Sequence, residues 1–310
     1  MVVAVDIGGT TIKTALADRT GVLDGRVDLP VAGLGTPDDV VTAIIDAAAS
    51  AAARGRARGG HVRAVGLAVP GLVDAAAGVG RSSMLLGWRD VPFAALVAAA
   101  TGLPVGFVHD VEAGALAEGR LGAAAGLRDW LFLAVGTGLG STFILDGRSY
   151  RGATGTGGEL AHVVAVPDGP RCRCGKRGCL EMLASASAIA DRWQAASTAA
   201  GRPPVDPHGG ARAVAAAVRA GDPLAQQAWS DAVAALATVT AGYVESMDPA
   251  AIVIGGGLAG STDLLRLPLE AALRQQVAFA AIPPVHAAHF GADAGLVGAG
   301  LTAFDAPVAA

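Results

Sequence analysis

Apolar runs broken by short glycine turns dominate the start of the chain. Residues 2–6 (VVAVD) form an unbroken apolar run ending on a carboxylate and predict a buried strand. After the turn Ile7-Gly8-Gly9-Thr10, residues 11–17 (TIKTALA) predict a second strand, and so short a link makes the pair a hairpin. Apolar residues at helical spacing over 38–54, behind Thr36-Pro37, predict a helix. Further strands are expected at 62–69, 104–109, 130–135, 141–145 and 251–254, and Ala-rich helices at 111–121, 185–199, 211–219 and 223–247. The Pro- and Gly-rich stretch 201–210 (GRPPVDPHGG) predicts a surface loop. No repeat of solenoid period is visible. Strands alternating with helices give an α/β fold class.

Composition narrows this picture. A chain of 310 residues is long for one core, so two domains are expected. Hydrophobic residues make up 52% and charged ones 16%, yet the longest charge-free run, 130–145, has 16 residues and is broken by Gly136, Gly138 and Gly140, too short for a membrane span. The start MVVAVDIGG lacks the basic region and long apolar stretch of a signal peptide, so a cytoplasmic protein with no membrane partner is expected. A net charge of -4 offers no general attraction to nucleic acid. Among 23 basic residues only Lys13 and Lys176 are lysines.

Three glycine turns each follow a strand: DIGGT (6–10), GTGLGS (136–141) and GGG (255–257). Glycine lets a backbone approach a phosphate and aim N–H groups at it, although an ordinary hairpin turn would explain any one of them. Neither G-x-G-x-x-G opening a helix nor G-x-x-x-x-G-K-[ST] is present at the first turn, which argues against a Rossmann dinucleotide site and a P-loop. A hairpin gripping the phosphates remains. Asp6 at its start would then sit near the Mg²⁺ that accompanies the nucleotide, since Mg²⁺ takes one or two protein carboxylates.

The first turn resembles the phosphate-binding hairpin of the actin, hexokinase and heat-shock chaperone ATPase superfamily. Together with VPGLVD (69–74), GTGLGS, GATGTGGELAH (152–162), CRCGKRGCLE (172–181) and GADAGLVGAG (291–300), it resembles the ROK family of repressors, open reading frames and sugar kinases, from about residue 3 to 301. The resemblance implies a two-lobed, actin-like (ribonuclease H-like) ATPase fold. The first lobe would span 1–112, a C-terminal helix at about 293–310 would return to it, and 113–292 would form a larger lobe carrying zinc. It implies ATP and Mg²⁺ as cofactors, a sugar substrate and a homodimer. Gly8, Gly9, Thr10, Thr137 and Gly138 would cradle phosphates, and Gly255, Gly256 and Gly257 would lie against the adenosine.

All three cysteines, Cys172, Cys174 and Cys179, fall within eight positions. One disulfide would leave a thiol over, whereas Cys-x-Cys-x₄-Cys supplies three soft ligands to a tetrahedral Zn²⁺ that needs a fourth, for which His162 is the nearest candidate. The resemblance implies that Cys₃His set, a closed shell and therefore structural zinc. Zinc would then fix two loops so that Glu159 and Glu181 face one pocket.

Asp110 ends the apolar run LPVGFVH and opens a helix, where an N-cap aspartate is the ordinary reading. By resemblance it is the general base that takes the proton of the sugar 6-hydroxyl. Glu159, His162 and Glu181 would contact sugar hydroxyls, although by themselves both glutamates read as solvated loop residues. Lys13 reads as a solvated strand residue. The chain departs from the family at His109, where Asn is usual before the base, and at Met84, where glucose-specific members carry Asn. Changing two hydrogen-bonding partners should change the preferred sugar, with an amino sugar such as kanosamine as a candidate and tolerated drift in a glucokinase as the alternative. The expected function is an ATP-dependent hexose 6-kinase. A non-catalytic sugar sensor and a transcriptional regulator are the alternatives; a regulator would carry a DNA-binding module ahead of a hairpin that here begins at residue 2.

Overall fold

The computed structural model describes residues 1–202 and 210–306, so most of the loop expected at 201–210 lies outside the described residues, as do the last positions of the expected C-terminal helix. The chain divides into two compact units. The first comprises Met1–Ala125, Arg151–Thr156 and the residues from Asp293 onward, and the second Gly126–Tyr150 and Gly157–Ala292.

In the first unit the elements run β1 (Val2–Ile7), β2 (Thr11–Ala17), β3 (Leu23–Pro30), α1 (Pro37–Ala57), β4 (Val65–Val69), β5 (Leu72–Asp74), β6 (Val79–Ser82), β7 (Arg89–Val91), α2 (Phe93–Thr101), β8 (Val105–His109) and α3 (Asp110–Leu121). The main sheet has the order β3-β2-β1-β4-β8. β1 pairs antiparallel with β2, in the predicted hairpin, and parallel with β4, which pairs parallel with β8. Strands β1 and β4 are buried throughout, as two-sided burial of parallel strands requires. One face packs Ile44, Ala48 and Ala52 of α1 and Phe93 and Val97 of α2 against Val3, Val5, Leu67 and Val69.

The other face is built of small residues. The helix Ala294–Asp305 lies so close to it that a Cβ on Gly66 or Gly106 would strike the carbonyls of Ala299 and Thr302. A Cβ on Gly298 would strike the backbone of Ala113 in α3. That packing puts α3 in the first unit, which therefore runs past the expected boundary at 112 to Ala125.

The second unit contains β9 (Trp130–Val135), β10 (Leu139–Leu145), β11 (Arg148–Tyr150), α4 (Glu181–Ala184), α5 (Ala186–Ala199), α6 (Gly210–Arg219), α7 (Pro223–Met247), β12 (Ile252–Gly255), α8 (Thr262–Gln276) and β13 (Val285–Ala287); the returning helix Ala294–Asp305 of the first unit is α9. Its sheet order is β11-β10-β9-β12-β13, with β9 antiparallel to β10 and parallel to β12. This repeats the pattern of the first sheet, two antiparallel steps followed by two parallel ones. Its core centres on Trp193, Trp229, Leu236 and Val244 packed on Leu131, Leu133 and Ile254.

Among the described residues no helix is long and apolar enough to cross a membrane.

Candidate active site and metal centre

In parallel sheets ligands bind beyond the carboxyl ends of the strands, and there the first unit gathers its candidate groups. Asp6 pairs in register with Ala68 of β4, whose neighbour Val69 pairs with His109 at the end of β8. The ends of β1 and β8 are two strands apart, about 10 Å. Across the hairpin Asp6 faces Lys13, and the Lys13 Nζ donates to Asp6 Oδ2 at 3.0 Å with 20% of the lysine side chain exposed. Lys13 is thus a half-buried counter-charge and not the solvated strand residue expected.

Burial pushes the Asp6 carboxyl above its ordinary value, Lys13 opposes this, and the nearby charges of Asp110 and Asp293 add to the rise. Gly295 near the start of α9 leaves room for this carboxylate, since a Cβ there would lie 2.9 Å from it. A buried carboxylate in a field of two others is donor chemistry that suits Mg²⁺ with a nucleotide. At the turn, the Gly8 N–H donates to Thr11 O at 2.9 Å. A Cβ on Gly9 would collide with Leu85, so the segment 82–88 lies against this turn, with Met84 itself 64% exposed.

Asp110 is the first residue of α3, whose N-cap is His109 with no side-chain cap. Its Oδ1 accepts from the N–H of Val111 at 2.8 Å and lies 3.2 Å from His109 Nε2. It therefore does not cap an N–H two or three residues on, which was its ordinary structural reading. The carboxylate sits at the N-terminal, positive end of the helix dipole. Two residues on, Glu112 is buried and held by Arg151, whose Nε lies 2.8 Å and whose Nη2 lies 2.5 Å from its two oxygens.

The second unit repeats the glycine-lined strand end. Gly136 N–H donates to Gly138 O at 2.9 Å, closing the β9–β10 turn, and the Ser187 hydroxyl holds the Thr137 carbonyl at 2.5 Å. Gly256 has φ 81° and a Cβ there would lie 2.5 Å from Val135 O, so only glycine fits. A Cβ built on Gly136 would be 4.0 Å from Gly257 N and meet nothing nearer. Bare backbone from the ends of β9 and β12 is thereby brought side by side, with Gly255 buried beneath it.

Glu181, at the start of α4, accepts from Leu139 N–H at 3.4 Å and would lie 2.9 Å from a Cβ on Gly138. It is aimed at the turn and is not a solvated loop residue. Glu159 is exposed and precedes the short 3₁₀ turn Leu160–His162, which β10 anchors through Ser141, whose Oγ accepts from Leu160 N–H at 3.0 Å.

His162, Cys172, Cys174 and Cys179 place all four ligand atoms within 4.8 Å of one another. Cys172 Sγ is 3.6 Å from His162 Nδ1, and Cys174 Sγ is 3.5 Å from Cys179 Sγ. Tetrahedral Zn²⁺ with Zn–S near 2.3 Å spaces its ligands by about 3.7 Å, so the set fits zinc and Nε2 of His162 stays free. Burial pushes the Cys179 thiol up to about 12, so without a metal this position would hold its proton. Lys176 steadies the loop by donating to the His162 carbonyl at 2.5 Å.

Asp6, Gly8, Gly9, Thr10, Met84, His109 and Asp110 thus belong to the first unit, while Thr137, Gly138, Glu159, His162, Glu181, Gly255, Gly256, Gly257 and the cysteines belong to the second. The Lys13 pairing was not legible because a turn at 7–10 puts residue 6 opposite 11, whereas strand pairing continues to Ile7 and Ile12 and brings Asp6 opposite Lys13. Nothing in the sequence pointed to the Arg151–Glu112 pair.

The sequence profile of the ROK family matches residues 2–305. The chain belongs to the ROK family. A glucokinase of Halalkalibacterium halodurans is 31% identical over 96% of this chain and 93% of its own. An N-acetylmannosamine kinase of Escherichia fergusonii is 31% identical over 97% of each chain. A solved ROK family glucokinase from Streptomyces griseus, in complex with glucose and AMPPNP, is 29% identical with a TM-score of 0.85, covering 98% of this chain and 99% of that one. This ROK protein accordingly has the actin-like ATPase fold that its sequence implied.

Proposed function

We propose that this ROK protein is an ATP-dependent sugar kinase that phosphorylates the 6-hydroxyl of glucose or a glucose-like amino sugar. The observation that carries the reading is Asp110, a carboxylate at a helix N-terminus that caps no later N–H, in one unit with the buried Asp6 and its half-buried partner Lys13. Asp110 would accept the hydroxyl proton as the oxygen attacks the γ-phosphoryl group. Asp6 would hold the water shell of Mg²⁺, which with ATP supplies charge neutralisation of the phosphates. Backbone N–H groups of Gly8, Gly9 and Thr10, and of Thr137 and Gly138, would orient the phosphates. Phosphoryl transfer rests on alignment and charge stabilisation, so one orienting carboxylate is enough. Glu159, His162 through Nε2, and Glu181 would bind sugar hydroxyls, with zinc fixing His162.

A relative that acts on glucose and one that acts on N-acetylmannosamine are equally identical to this chain, so identity does not choose the sugar. His109 and Met84 favour a hexose other than plain glucose.

The deciding experiment is ADP release with Mg²⁺-ATP across glucose, kanosamine, glucosamine, N-acetylglucosamine, N-acetylmannosamine, mannose and fructose. Turnover of at least one sugar is expected, and it should fall by 10³ or more, on the order of a lost general base, in Asp110→Asn with zinc content and Tm unchanged. Silence across the panel would favour the sugar-sensor alternative or a sugar outside it.

A further inference from the structure

The zinc loop carries more positive charge than its metal site requires. Arg171, Arg173, Lys176 and Arg177 are all exposed and fall within seven positions of a protein whose net charge is -4. A Cys₃His zinc site carries one net negative charge, and Lys176 answers it from within the loop, bonding through Nζ to the His162 carbonyl. The three arginines have no such role, and among the described residues none of them forms an ion pair, although arginines elsewhere, such as Arg26, Arg81 and Arg219, do.

Their arrangement is also unfavourable in isolation. Arg171 and Arg177 form an antiparallel bridge. The bonds Cys172 N–H to Lys176 O at 2.8 Å and Gly178 N–H to Pro170 O at 2.8 Å flank it, so the two arginines occupy a non-hydrogen-bonded position. There the Cα atoms approach to about 4.5 Å and both side chains rise on one face. Like charges directly opposite each other destabilise a strand pair. Arg173 lies in the turn that joins the two strands, closed by Gly175 N–H to Cys172 O at 3.0 Å. A short hairpin thus carries two exposed arginines at directly opposite positions with a third in its turn.

We propose that this zinc-held hairpin is a binding site for a short chain of linked phosphates, distinct from the phosphate turns of the kinase reading. Planar guanidinium forks match phosphate oxygens bidentately, and adjacent forks suit adjacent phosphoryl groups. The segment 163–179 contains no aromatic residue on which a nucleic-acid base could stack, so the site reads phosphate and not base. A bound polyanion would also remove the repulsion between Arg171 and Arg177 and so tighten the metal loop.

Two measurements on the full-length zinc-loaded protein test this. In calorimetric titrations with inorganic tripolyphosphate, with Mg²⁺-AMPPNP saturating the nucleotide site, binding is expected to weaken at least tenfold in the Arg171→Gln/Arg177→Gln double variant and with rising salt. Orthophosphate should bind far more weakly, and ATP in place of tripolyphosphate tells whether a nucleotide's phosphate tail serves as well as the free chain. Equal affinity in the double variant, or no binding once AMPPNP is present, overturns the proposal. Zinc release to a large excess of a stronger chelator gives a second readout. Because tripolyphosphate itself binds Zn²⁺ equally in both cases, it should slow release severalfold more from the wild-type protein than from the Arg171→Gln/Arg177→Gln variant, and an equal effect on the two overturns the proposal.

Discussion

Asp110 and His109 show how one residue changes what its neighbour can do. The carboxylate accepts the N–H of Val111 and also lies 3.2 Å from the His109 imidazole. An asparagine before the base would offer a neutral amide donor, whereas an imidazole offers one donor and one acceptor, or two donors when protonated. Met84 adds to the difference on the proposed reading, since at 64% exposure it offers a thioether and no hydrogen-bonding amide. If these two residues set the sugar, His109→Asn with Met84→Asn should raise kcat/KM for glucose relative to the preferred sugar by at least tenfold, a small part of the ~10⁴–10⁵ by which a site that hydrogen-bonds a hydroxyl can discriminate. Competition assays with paired sugars measure this ratio directly, and an unchanged ratio would mark both residues as tolerated substitutions.

At the scale of elements, glycine decides which helices can approach the sheets. Gly298 lets α9 touch the backbone of α3, the helix that begins with Asp110, and Gly298→Ala should cost about 1–3 kcal/mol by overpacking. If Asp110 at the start of α3 is the base proposed above, its displacement with the helix should lower kcat as well; thermal unfolding and steady-state kinetics on the same preparation check both effects.

A second element-level prediction concerns the end of α8. The Glu245 carboxylate of α7 accepts N–H bonds from Ala278 and, at 3.2 Å, from Phe279, and the Ala278 bond above all holds it below its ordinary value of 4.5. A carboxylate whose pKa is depressed by folding adds stability that is present above its unfolded value and lost as pH falls through the folded one. Stability should therefore decline below about pH 4.5, and Glu245→Gln should flatten that decline in urea titrations at several pH values.

The elements differ in how legible they were. Strands β1, β4 and β9, buried on both faces, and the capped helices α1 and α7 were readable because one physical cause fixes each. Thr36 and Asp39 close a capping box on α1, and Asp222 with Pro223 begins α7. Strand β3 was not, because it is an edge strand with an irregular, largely exposed pattern, and α8 was not, because Pro268 breaks its signal. The metal ligands were legible through their spacing, whereas Arg151 and Glu112, 39 positions apart, meet only through tertiary folding.

The whole molecule is two units of like sheet topology, each with its own core, and only one of them holds the zinc residues. A zinc ion held by them should then act on half of the molecule. Zinc contributes on the order of 10 kcal/mol when it must fold a small peptide, but the second unit buries Trp193, Trp229, Leu236 and many other residues without it. Chelation should therefore leave the chain folded and lower the melting transition of the second unit only, splitting a calorimetric trace into two. Sugar affinity should fall by tenfold or more, since His162, and the loops that position Glu159 and Glu181, depend on the metal loop, while nucleotide affinity should change little. A chelated protein that melted in one unchanged transition and bound sugar as before would show that the cysteine loop is a passenger on the second unit and not the frame of the residues proposed to bind sugar.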